Sequence, residues 1–257
     1  MEKIPLGRTR AEIPKIGFGT WQFSPNTGVI QHAVEVGAGF VDTAESYGTE
    51  DMVGDDISEL RDQVFLATKV SAQNLPYDAV LTHAQASLRR LRTDAIDLYQ
   101  IHFPNPDIPI TETMRAMREL VRDGRVRYVG VSNFSVDDMK AAQDALGDVP
   151  LASNQVRYNL FAREIELDIL PFCQANDITV IAHTPLAKGE FGGRGALTEV
   201  AEQTGRTEAQ VLLNWVIAHE AVMAIPKTGR VERVDEAVGA VGWSLEPEQT
   251  RALEAAV

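Results

Sequence analysis

The sequence predicts an α/β protein in which eight parallel strands and the helices between them form one (β/α)8 barrel. Three observations lead to this fold class. Short apolar runs alternate with amphipathic runs of helical length, eight such pairs follow an N-terminal hairpin, and no linker divides residues 1–257. Apolar strands separated by helices form a parallel sheet buried on both faces, and eight such units close into a barrel.

Residues 2–16 predict a short β-hairpin that closes the bottom of the barrel. Its strands are expected at residues 3–6 and 12–16, with a turn at residues 7–10 between them. Each strand contains a proline, which cannot donate a hydrogen bond to a neighbouring strand. The hairpin is therefore expected to lie outside the main sheet.

The eight barrel strands are predicted from short runs of apolar and β-branched residues bounded by glycine or polar residues. The run at residues 178–182, Ile-Thr-Val-Ile-Ala, is typical of a strand that is buried on both faces. The strands are expected at residues 17–20, 40–41, 64–69, 95–101, 126–131, 151–156, 178–182 and 222–225.

Helices are predicted between these strands from apolar periodicity and from helix start and stop signals. Gly37 ends the first helix, Ser135 caps the fifth, and Pro247 occupies the tolerated first turn of the last. The helices are expected at residues 27–36, 50–60, 77–91, 111–122, 136–146, 164–176, 197–204, 208–219, 231–241 and 246–255.

Composition excludes some classes of function. The formal net charge is −13 and the pI is about 4.8, which argues against nucleic-acid binding. An acidic chain that binds an anionic ligand must build a local basic patch against its own field. The sequence has no apolar run of about 18 residues and no signal core, so no membrane association and a cytoplasmic location are expected. The one cysteine, Cys173, lies in a helical apolar pattern and is expected to be a buried thiol.

Polar residues that suit acid–base chemistry stand at the ends of three consecutive strands. Asp42, Lys69 and His102 end the second, third and fourth barrel strands, and Tyr47 follows Asp42 on a loop bounded by Gly48. Neighbouring strands lie about 4.8 Å apart, so these side chains can meet over one mouth of the barrel. Taken singly, each has a structural explanation, such as a salt bridge for Asp42 and Lys69. Together they favour an active site.

Seven stretches along the chain carry a recognisable set of motifs. They are Gly17-Phe-Gly-Thr-Trp21, Phe40-Val-Asp-Thr-Ala-Glu-Ser-Tyr-Gly48, Phe65-Leu-Ala-Thr-Lys69, Asp97-Leu-Tyr-Gln-Ile-His102, Tyr128-Val-Gly-Val-Ser-Asn-Phe134, Ser153-Asn-Gln-Val156 and Ile225-Pro-Lys227. In this order they resemble the motifs of the aldo-keto reductases, and by that resemblance the chain is identified as a member of the bacterial/archaeal type with short loops.

The resemblance implies NADPH-dependent reduction of aldehydes or ketones to alcohols. Tyr47 would be the general acid, and Lys69 would lower the pKa of its phenol from the ordinary value of about 10. Asp42 would keep Lys69 charged and oriented. His102 would direct the substrate oxygen, and Trp21 would form a wall of the substrate pocket.

The resemblance also implies how the nicotinamide would be held, since the chain has no Rossmann fingerprint. Ser132, Asn133 and Gln155 would hydrogen-bond the carboxamide. His183 occupies the position of the family's stacking aromatic, usually tyrosine, and would cover the ring with less area. Further cofactor contacts are expected from Gly19, Thr20, Thr184 and Leu186, and residues 188–195 would cover the pyrophosphate.

The adenosine end of the cofactor would lie along residues 226–236. By resemblance Lys227, Thr228 and Arg233 would bind the 2′-phosphate and Glu236 the adenine, while Ala237 departs from the family's asparagine. These residues supply the basic patch that the acidic chain requires, and arginine suits phosphate through its planar fork. NADPH is therefore expected to be preferred over NADH.

Two other function classes are compatible with such a barrel. One is a cofactor-binding regulatory protein with little turnover, against which the complete set of four candidate catalytic residues argues. The other is a metal-dependent hydrolase, for which the sequence offers only scattered ligands, so no metal is expected. Because the loop at residues 103–109 is short and no long tail follows the last helix, we expect an open site for small or varied carbonyl compounds. The sequence itself does not indicate an oligomeric state, and the resemblance implies a monomer.

Overall fold

The computed structural model describes residues 1–24, 27–191 and 195–257. Eight parallel strands form a nearly closed barrel, in the order in which they occur along the chain, as the sequence predicts. The barrel strands are β3 (Phe18–Gly19), β4 (Phe40–Asp42), β5 (Phe65–Val70), β6 (Ile96–Ile101), β7 (Val126–Ser132), β8 (Leu151–Arg157), β9 (Thr179–His183) and β10 (Val222–Ile225).

The barrel closes between its first and last strands through few hydrogen bonds. Here β3 has only two residues, and isolated parallel bridges join Ile16 to Ala224 and Gly19 to Lys227. The amide of Gly17 donates to Ala224 O at 2.9 Å, and that of Gly19 donates to Pro226 O at 3.1 Å. These contacts hold the backbone just before Trp21 against the backbone at Lys227.

The helices lie outside the sheet, close to their predicted positions. They are α1 (Val29–Glu35), α2 (Glu50–Ile57), α3 (Tyr77–Arg90), α4 (Ile110–Arg122), α5 (Val136–Leu146), α6 (Ile169–Ala175), α7 (Gly195–Thr204), α8 (Glu208–Ile217), α9 (Val231–Val238) and α10 (Pro247–Ala255). No described helix is long and apolar enough to span a membrane.

One predicted helix is divided in the structure. The run at residues 164–176 forms a 3₁₀ turn at Glu164–Leu167 and then α6. Asp168 separates the two because its backbone, at φ −149° and ψ −53°, is not helical. Its carboxylate accepts from the amide of Ile169 at 2.6 Å, so the residue begins a new helix.

The N-terminal hairpin, β1 (Lys3–Pro5) and β2 (Glu12–Pro14), closes the bottom of the barrel as predicted. Its strands pair antiparallel. Leu6 and Ile13 are fully buried and belong to the same apolar cluster as the strand residues Phe40, Leu98 and Met223. That cluster lies inside the barrel, and a larger one packs the helices against the outside of the sheet.

Two layers of side chains fill the barrel interior. Successive residues of a strand point to opposite faces, so residues two apart share the inner face. The apolar residues Phe40, Ala67 and Leu98 are each followed two positions later by a buried polar residue. Those polar residues are Asp42, Lys69 and Gln100. Above an apolar floor the barrel thus carries a buried polar layer, which begins the candidate site.

Candidate active site

The centre of the polar layer is the ammonium group of Lys69. Its Nζ donates to Asp42 Oδ2 at 2.6 Å, to the backbone carbonyl of Thr43 at 2.9 Å and to Tyr47 Oη at 3.4 Å. The Lys69 side chain is completely buried, and that of Asp42 is 2% exposed. All three ammonium hydrogens can therefore be used without water, which a buried charge requires.

The carboxylate of Asp42 receives donors from three other strands. Its Oδ2 accepts from Lys69, while Oδ1 accepts from Gln155 Nε2 at 2.8 Å and from Gln100 Nε2 at 3.3 Å. Both carboxylate oxygens therefore have donors, as a buried polar group requires. Gln155, predicted to contact the cofactor, is thus also tied to the candidate catalytic carboxylate.

Tyr47 is carried by a 3₁₀ turn, Glu45–Tyr47, that ends at Gly48 in a left-handed conformation with φ 65°. The turn is anchored by the Glu45 carboxylate, which accepts from the Ser71 amide at 2.7 Å and from Asn74 Nδ2 at 2.8 Å. Ser71 directly follows β5, which bears Lys69. The anchor therefore holds the phenol beside the ammonium.

The pKa of Tyr47 differs from the sequence-based expectation. Burial raises the phenol pKa, the Lys69 ammonium lowers it and the Asp42 carboxylate raises it, so the pKa lies above its usual value. Lys69 acts in the expected direction, but desolvation of the phenolate outweighs it in the protein alone. The phenol is therefore protonated at neutral pH, the form that a general acid needs.

The imidazole ring of His102 contacts two aromatic rings. Its imidazole stacks on Phe103 at a centroid distance of 5.0 Å, and Tyr47 meets it edge-on at 5.5 Å. Burial, followed by the nearby Lys69 ammonium, lowers the pKa of His102 to about 4. The ring is thus neutral at pH 7. Its Nδ1 lies 3.2 Å from Ser46 Oγ.

One cavity of about 970 Å³ spans the barrel mouth, at the upper end of the range for ligand pockets. Most of the residues predicted for the site line it. They are Gly19, Trp21, Asp42, Tyr47, His102, Ser132, Asn133, Gln155, His183, Thr184, Leu186, Lys227, Thr228, Arg233 and Glu236. Two others do not: Lys69 is completely buried, and the Thr20 hydroxyl donates to Asp42 O at 3.0 Å inside the protein.

The three residues predicted to hold a carboxamide come together on one wall of the cavity. Ser132 Oγ donates to Gln155 O at 2.8 Å. Asn133 Nδ2 donates to His102 O and to Ser132 Oγ, both at 3.0 Å. Asn133 thus uses its amide hydrogens within the protein, and Gln155 uses one of its own on Asp42. The side-chain carbonyl oxygens of both residues are the groups that can accept from a ligand.

His183 lies on the same wall of the cavity, next to residues whose backbone conformations are strained. Its Nδ1 lies 3.0 Å from Thr184 Oγ1 and its Nε2 lies 3.5 Å from Asn133 Oδ1. Burial lowers the pKa of His183 to about 4. Thr184 and Asn133 both have left-handed backbones, with φ 55° and 61°, which is costly for a β-branched residue such as threonine. Such strain is common where a backbone is shaped for a ligand.

The far end of the cavity is basic. Lys227, Arg230 and Arg233 line it, and Arg233 forms an ion pair with Glu236. Thr228 Oγ1 accepts from the amide of Arg230 at 3.0 Å, which shapes the segment before α9. In a chain of net charge −13, this end is the local basic patch that an anionic ligand requires.

Several lining residues were not predicted. Arg230 adds positive charge to the cavity beside Lys188 of the predicted pyrophosphate cover, and Phe103 adds an exposed aromatic wall. Arg230 lies within the basic stretch that the sequence already singles out, so charge alone could have included it. Ala209 and Leu213 come from α8, where nothing distinguishes them from ordinary core residues. Part of the predicted pyrophosphate cover, residues 192–194, lies outside the described residues.

Two further expectations concern cysteine and metals. Cys173 is buried, and burial raises the pKa of its thiol to about 12, so the thiol is protonated and unreactive at neutral pH. Within residues 1–24, 27–191 and 195–257, no group of three His, Cys, Asp or Glu residues could hold a metal ion.

Comparison with known proteins links this chain to one family. Residues 15–257 match the Aldo/keto reductase family. Methylglyoxal reductase YeaE of Escherichia coli strain K12 is 38% identical over 239 residues, which cover 87% of this chain and 84% of that protein. Aldo-keto reductase YhdN of Bacillus subtilis strain 168 is 37% identical over 218 residues, or 76% of this chain and 65% of that protein.

Solved structures are similar to this chain in both fold and sequence. A thermostable aldo-keto reductase in complex with the inhibitor epalrestat superposes with a TM-score of 0.94 at 37% identity, covering 100% of both chains. An aldo-keto reductase from Klebsiella pneumoniae in complex with NADPH superposes with a TM-score of 0.90 at 36% identity, over 99% of this chain and 95% of that one.

Proposed function

This chain belongs to the aldo/keto reductase family and is an oxidoreductase that acts on carbonyl groups, and we propose that it reduces aldehydes and ketones to alcohols with NADPH. The observation that carries the proposal is the contact between the Tyr47 phenol and the Lys69 ammonium at 3.4 Å, beside His102 at the cavity mouth. Reduction of a carbonyl needs a hydride at carbon and a proton at oxygen. When bound, NADPH supplies the hydride.

We propose that Tyr47 supplies the proton. A positioned acid must lie within hydrogen-bond reach of the group that it protonates, and the phenol lines the cavity. As the proton leaves Tyr47 Oη, negative charge develops 3.4 Å from the Lys69 ammonium. That ammonium is already held by Asp42 and by the Thr43 carbonyl, so it stabilises the phenolate without reorganising.

The residues around the cavity fit a nicotinamide dinucleotide. A carboxamide NH2 donates two hydrogen bonds, and the amide oxygens of Gln155 and Asn133 are the matching acceptors on one wall. His183 lies next to them and is neutral at pH 7 because burial lowers its pKa to about 4. It would therefore cover the nicotinamide without a repulsive charge. The side chain of Thr20 is engaged inside the protein, so we assign it no cofactor contact.

We propose that the basic end of the cavity binds the 2′-phosphate and gives a preference for NADPH over NADH. Lys227, Arg230 and Arg233 converge there with the Thr228 hydroxyl. The ion pair between Arg233 and Glu236 orients the guanidinium before any ligand arrives. Ala237 lines the same end and offers no hydrogen bond to an adenine, which leaves Glu236 as the polar side chain available for that role.

The substrate class follows from the open mouth. Trp21 and Phe103 are 50% and 51% exposed, and both line the cavity beside Tyr47 and His102. An aromatic rim favours small or varied carbonyl compounds over charged ones. Methylglyoxal belongs in a first substrate panel, since the similar protein of Escherichia coli carries that name. We also propose a single-domain monomer, which size-exclusion chromatography with light scattering tests.

The experiment is a panel of aldehydes and ketones assayed by NADPH oxidation, with Tyr47→Phe as the matched variant. We expect wild-type turnover and, in Tyr47→Phe, loss of turnover with NADPH binding retained by fluorescence. Wild-type-like turnover in Tyr47→Phe would remove the tyrosine from its role. Quenching of cofactor fluorescence without oxidation across the panel would instead indicate a cofactor-binding regulatory barrel.

A further inference from the structure

We propose that Ser46 fixes the tautomer of His102 and is thereby a positioning residue for carbonyl reduction. The proposal rests on the function proposed above and adds a residue to it. Ser46 is the middle residue of the turn that carries Tyr47, and its Oγ lies 3.2 Å from His102 Nδ1. Neither residue is adjacent to the other in sequence, so the contact is made by the fold.

The contacts of His102 give its two ring nitrogens different possible hydrogen-bond partners. The backbone amide of His102 donates to Val70 O at 2.9 Å, and the ring is confined between Phe103 and Tyr47. Nδ1 faces Ser46. Among the residues that the structure describes, Nε2 has no hydrogen-bond partner, and the side chain lines the cavity. Nε2 is thus the nitrogen that a ligand can meet.

A neutral imidazole carries one N–H, and the partner of one nitrogen decides which nitrogen bears it. If the Ser46 hydroxyl donates to Nδ1, the proton resides on Nε2 and points toward the ligand. If Nδ1–H donates to Ser46 Oγ, Nε2 presents only a lone pair. A carbonyl oxygen is an acceptor, so only the first arrangement can orient a carbonyl substrate.

The two tautomers exist only when the His102 ring is neutral, and the surroundings of the ring favour the neutral form. Burial and the positive charge of Lys69 disfavour the imidazolium, with a further contribution from His183, while Asp42 and Glu45 act in the opposite direction. The imidazolium is therefore not the form present at pH 7. For Ser46 Oγ, His102 Nδ1 is the hydrogen-bond partner within the described chain.

The turn keeps its shape without the Ser46 hydroxyl, which makes the contact testable. Its anchor is the Glu45 carboxylate on Ser71 and Asn74, and the Tyr47 amide donates to Ala44 O at 3.0 Å. Ser46 is itself exposed. Removing its hydroxyl therefore deletes one hydrogen bond and leaves Tyr47 in place. A net hydrogen bond shifts an equilibrium about two- to tenfold.

The decisive measurement is the ¹⁵N chemical shifts of the His102 ring nitrogens in the protein without cofactor. The chain has five histidines, and His102→Gln identifies the signal. We expect the Nε2–H tautomer in the wild type, a two- to tenfold lower ratio of Nε2–H to Nδ1–H in Ser46→Ala, and recovery in Ser46→Thr. The control is Ser58→Ala, which removes another exposed hydroxyl, bonded to Asp55 O at 2.9 Å, and should change nothing.

An Nδ1–H tautomer in the wild type, or an unchanged ratio in Ser46→Ala, overturns the assignment. Enzyme kinetics provide a second test of the proposal. We expect kcat/KM for carbonyl reduction to fall in Ser46→Ala in proportion to the fraction of the enzyme that has the Nε2–H tautomer, with the Kd for NADPH unchanged. A lower Nε2–H fraction with unchanged kcat/KM would overturn the positioning role. Absence of turnover in the wild type would contradict the proposed function while leaving the tautomer result intact.

Discussion

Lys69 Nζ lies 2.6 Å from Asp42 Oδ2 in the interior of the barrel, with the lysine side chain fully buried. Two opposite charges taken out of water stabilise each other only while both are present. The pair is therefore expected to matter for folding as well as for chemistry.

We expect Lys69→Met to lower the free energy of unfolding by about 3–5 kcal/mol, since it leaves the Asp42 charge buried without its main partner. Urea denaturation at pH 7 measures this. The double variant Asp42→Asn/Lys69→Met should lose less than the sum of the two single variants. Lys140→Met is the control: its exposed pair with Asp137, at 3.2 Å, should contribute less than about 1 kcal/mol. Additive losses in the double variant would argue against coupling.

Stability should fall as the pH decreases from about 6.5 toward 4, because of His102 and His183. Both have a pKa of about 4 in the folded protein against 6.5 for an ordinary histidine. In that window the unfolded chain binds more protons, so the free energy of unfolding rises with pH. The unfolding free energies of wild type, His102→Gln and His183→Gln at pH 7 and pH 4.5 test this. Each variant should lose less than the wild type on acidification.

His32 gives a control of opposite sign. A hydrogen bond to Asp235 raises its pKa, so its contribution to stability is present below the unfolded pKa and disappears as the pH rises through the folded value. His32→Gln should therefore make the loss of stability on acidification larger, not smaller. The same direction of change in His32→Gln and His102→Gln would contradict the assignment of the two shifts.

Arg233→Ala should weaken NADPH binding about 10- to 100-fold, since a hydrogen bond to a charged group contributes about 1.5–3 kcal/mol. NADH, which lacks the 2′-phosphate, should lose much less. Fluorescence titration with both cofactors measures the two changes, and Arg122→Ala, an exposed arginine on α4, is the matched control. Equal losses for NADPH and NADH would argue against a contact with the 2′-phosphate.

Gly130→Ala should destabilise the protein by about 1–3 kcal/mol through overpacking. A Cβ at Gly130 would lie 2.5 Å from Ser153 Oγ and 3.1 Å from Gln100 Cγ. The Ser153 hydroxyl is buried without a hydrogen-bond partner among the described residues. Ser153→Ala should therefore be tolerated and should recover much of the loss in the double variant.

Thermal and urea unfolding of these variants can be compared with Gly195→Ala. Among the described residues, a Cβ at Gly195 meets no atom within 4 Å, so this control should leave stability unchanged or slightly raised. A Gly130→Ala protein as stable as the wild type would show that the barrel interior relaxes at this point.

Much of the barrel, and the convergence of the candidate catalytic residues, could be predicted from the sequence, for a physical reason. Parallel strands end at the same mouth, so polar residues at the ends of consecutive strands must converge, and Asp42 and Lys69 do. The contact of Ser46 with His102 could not be predicted, because it depends on how a 3₁₀ turn is oriented over a neighbouring strand.

The sequence also could not predict the outcome where two physical effects oppose each other. The pKa of Tyr47 depends on how completely the phenol is buried relative to its distance from Lys69, and burial outweighs the charge. Likewise, the division of residues 164–176 depends on one backbone conformation, at Asp168. Neither the extent of burial nor that conformation is visible in a pattern of residue types.

The sparse closure between β3 and β10 has a consequence for how the two ends of the ligand site communicate. Regions with few backbone hydrogen bonds open locally at the lowest free energy. Here the join is held by the amides of Gly17 and Gly19, together with the amide of Ala224, which donates to Lys15 O. Trp21 lies just beyond one side of it and Lys227 on the other. A ligand that engages either side suppresses the same opening, so cofactor and substrate should each slow hydrogen exchange at these two glycines. By thermodynamic reciprocity each would then favour the binding of the other.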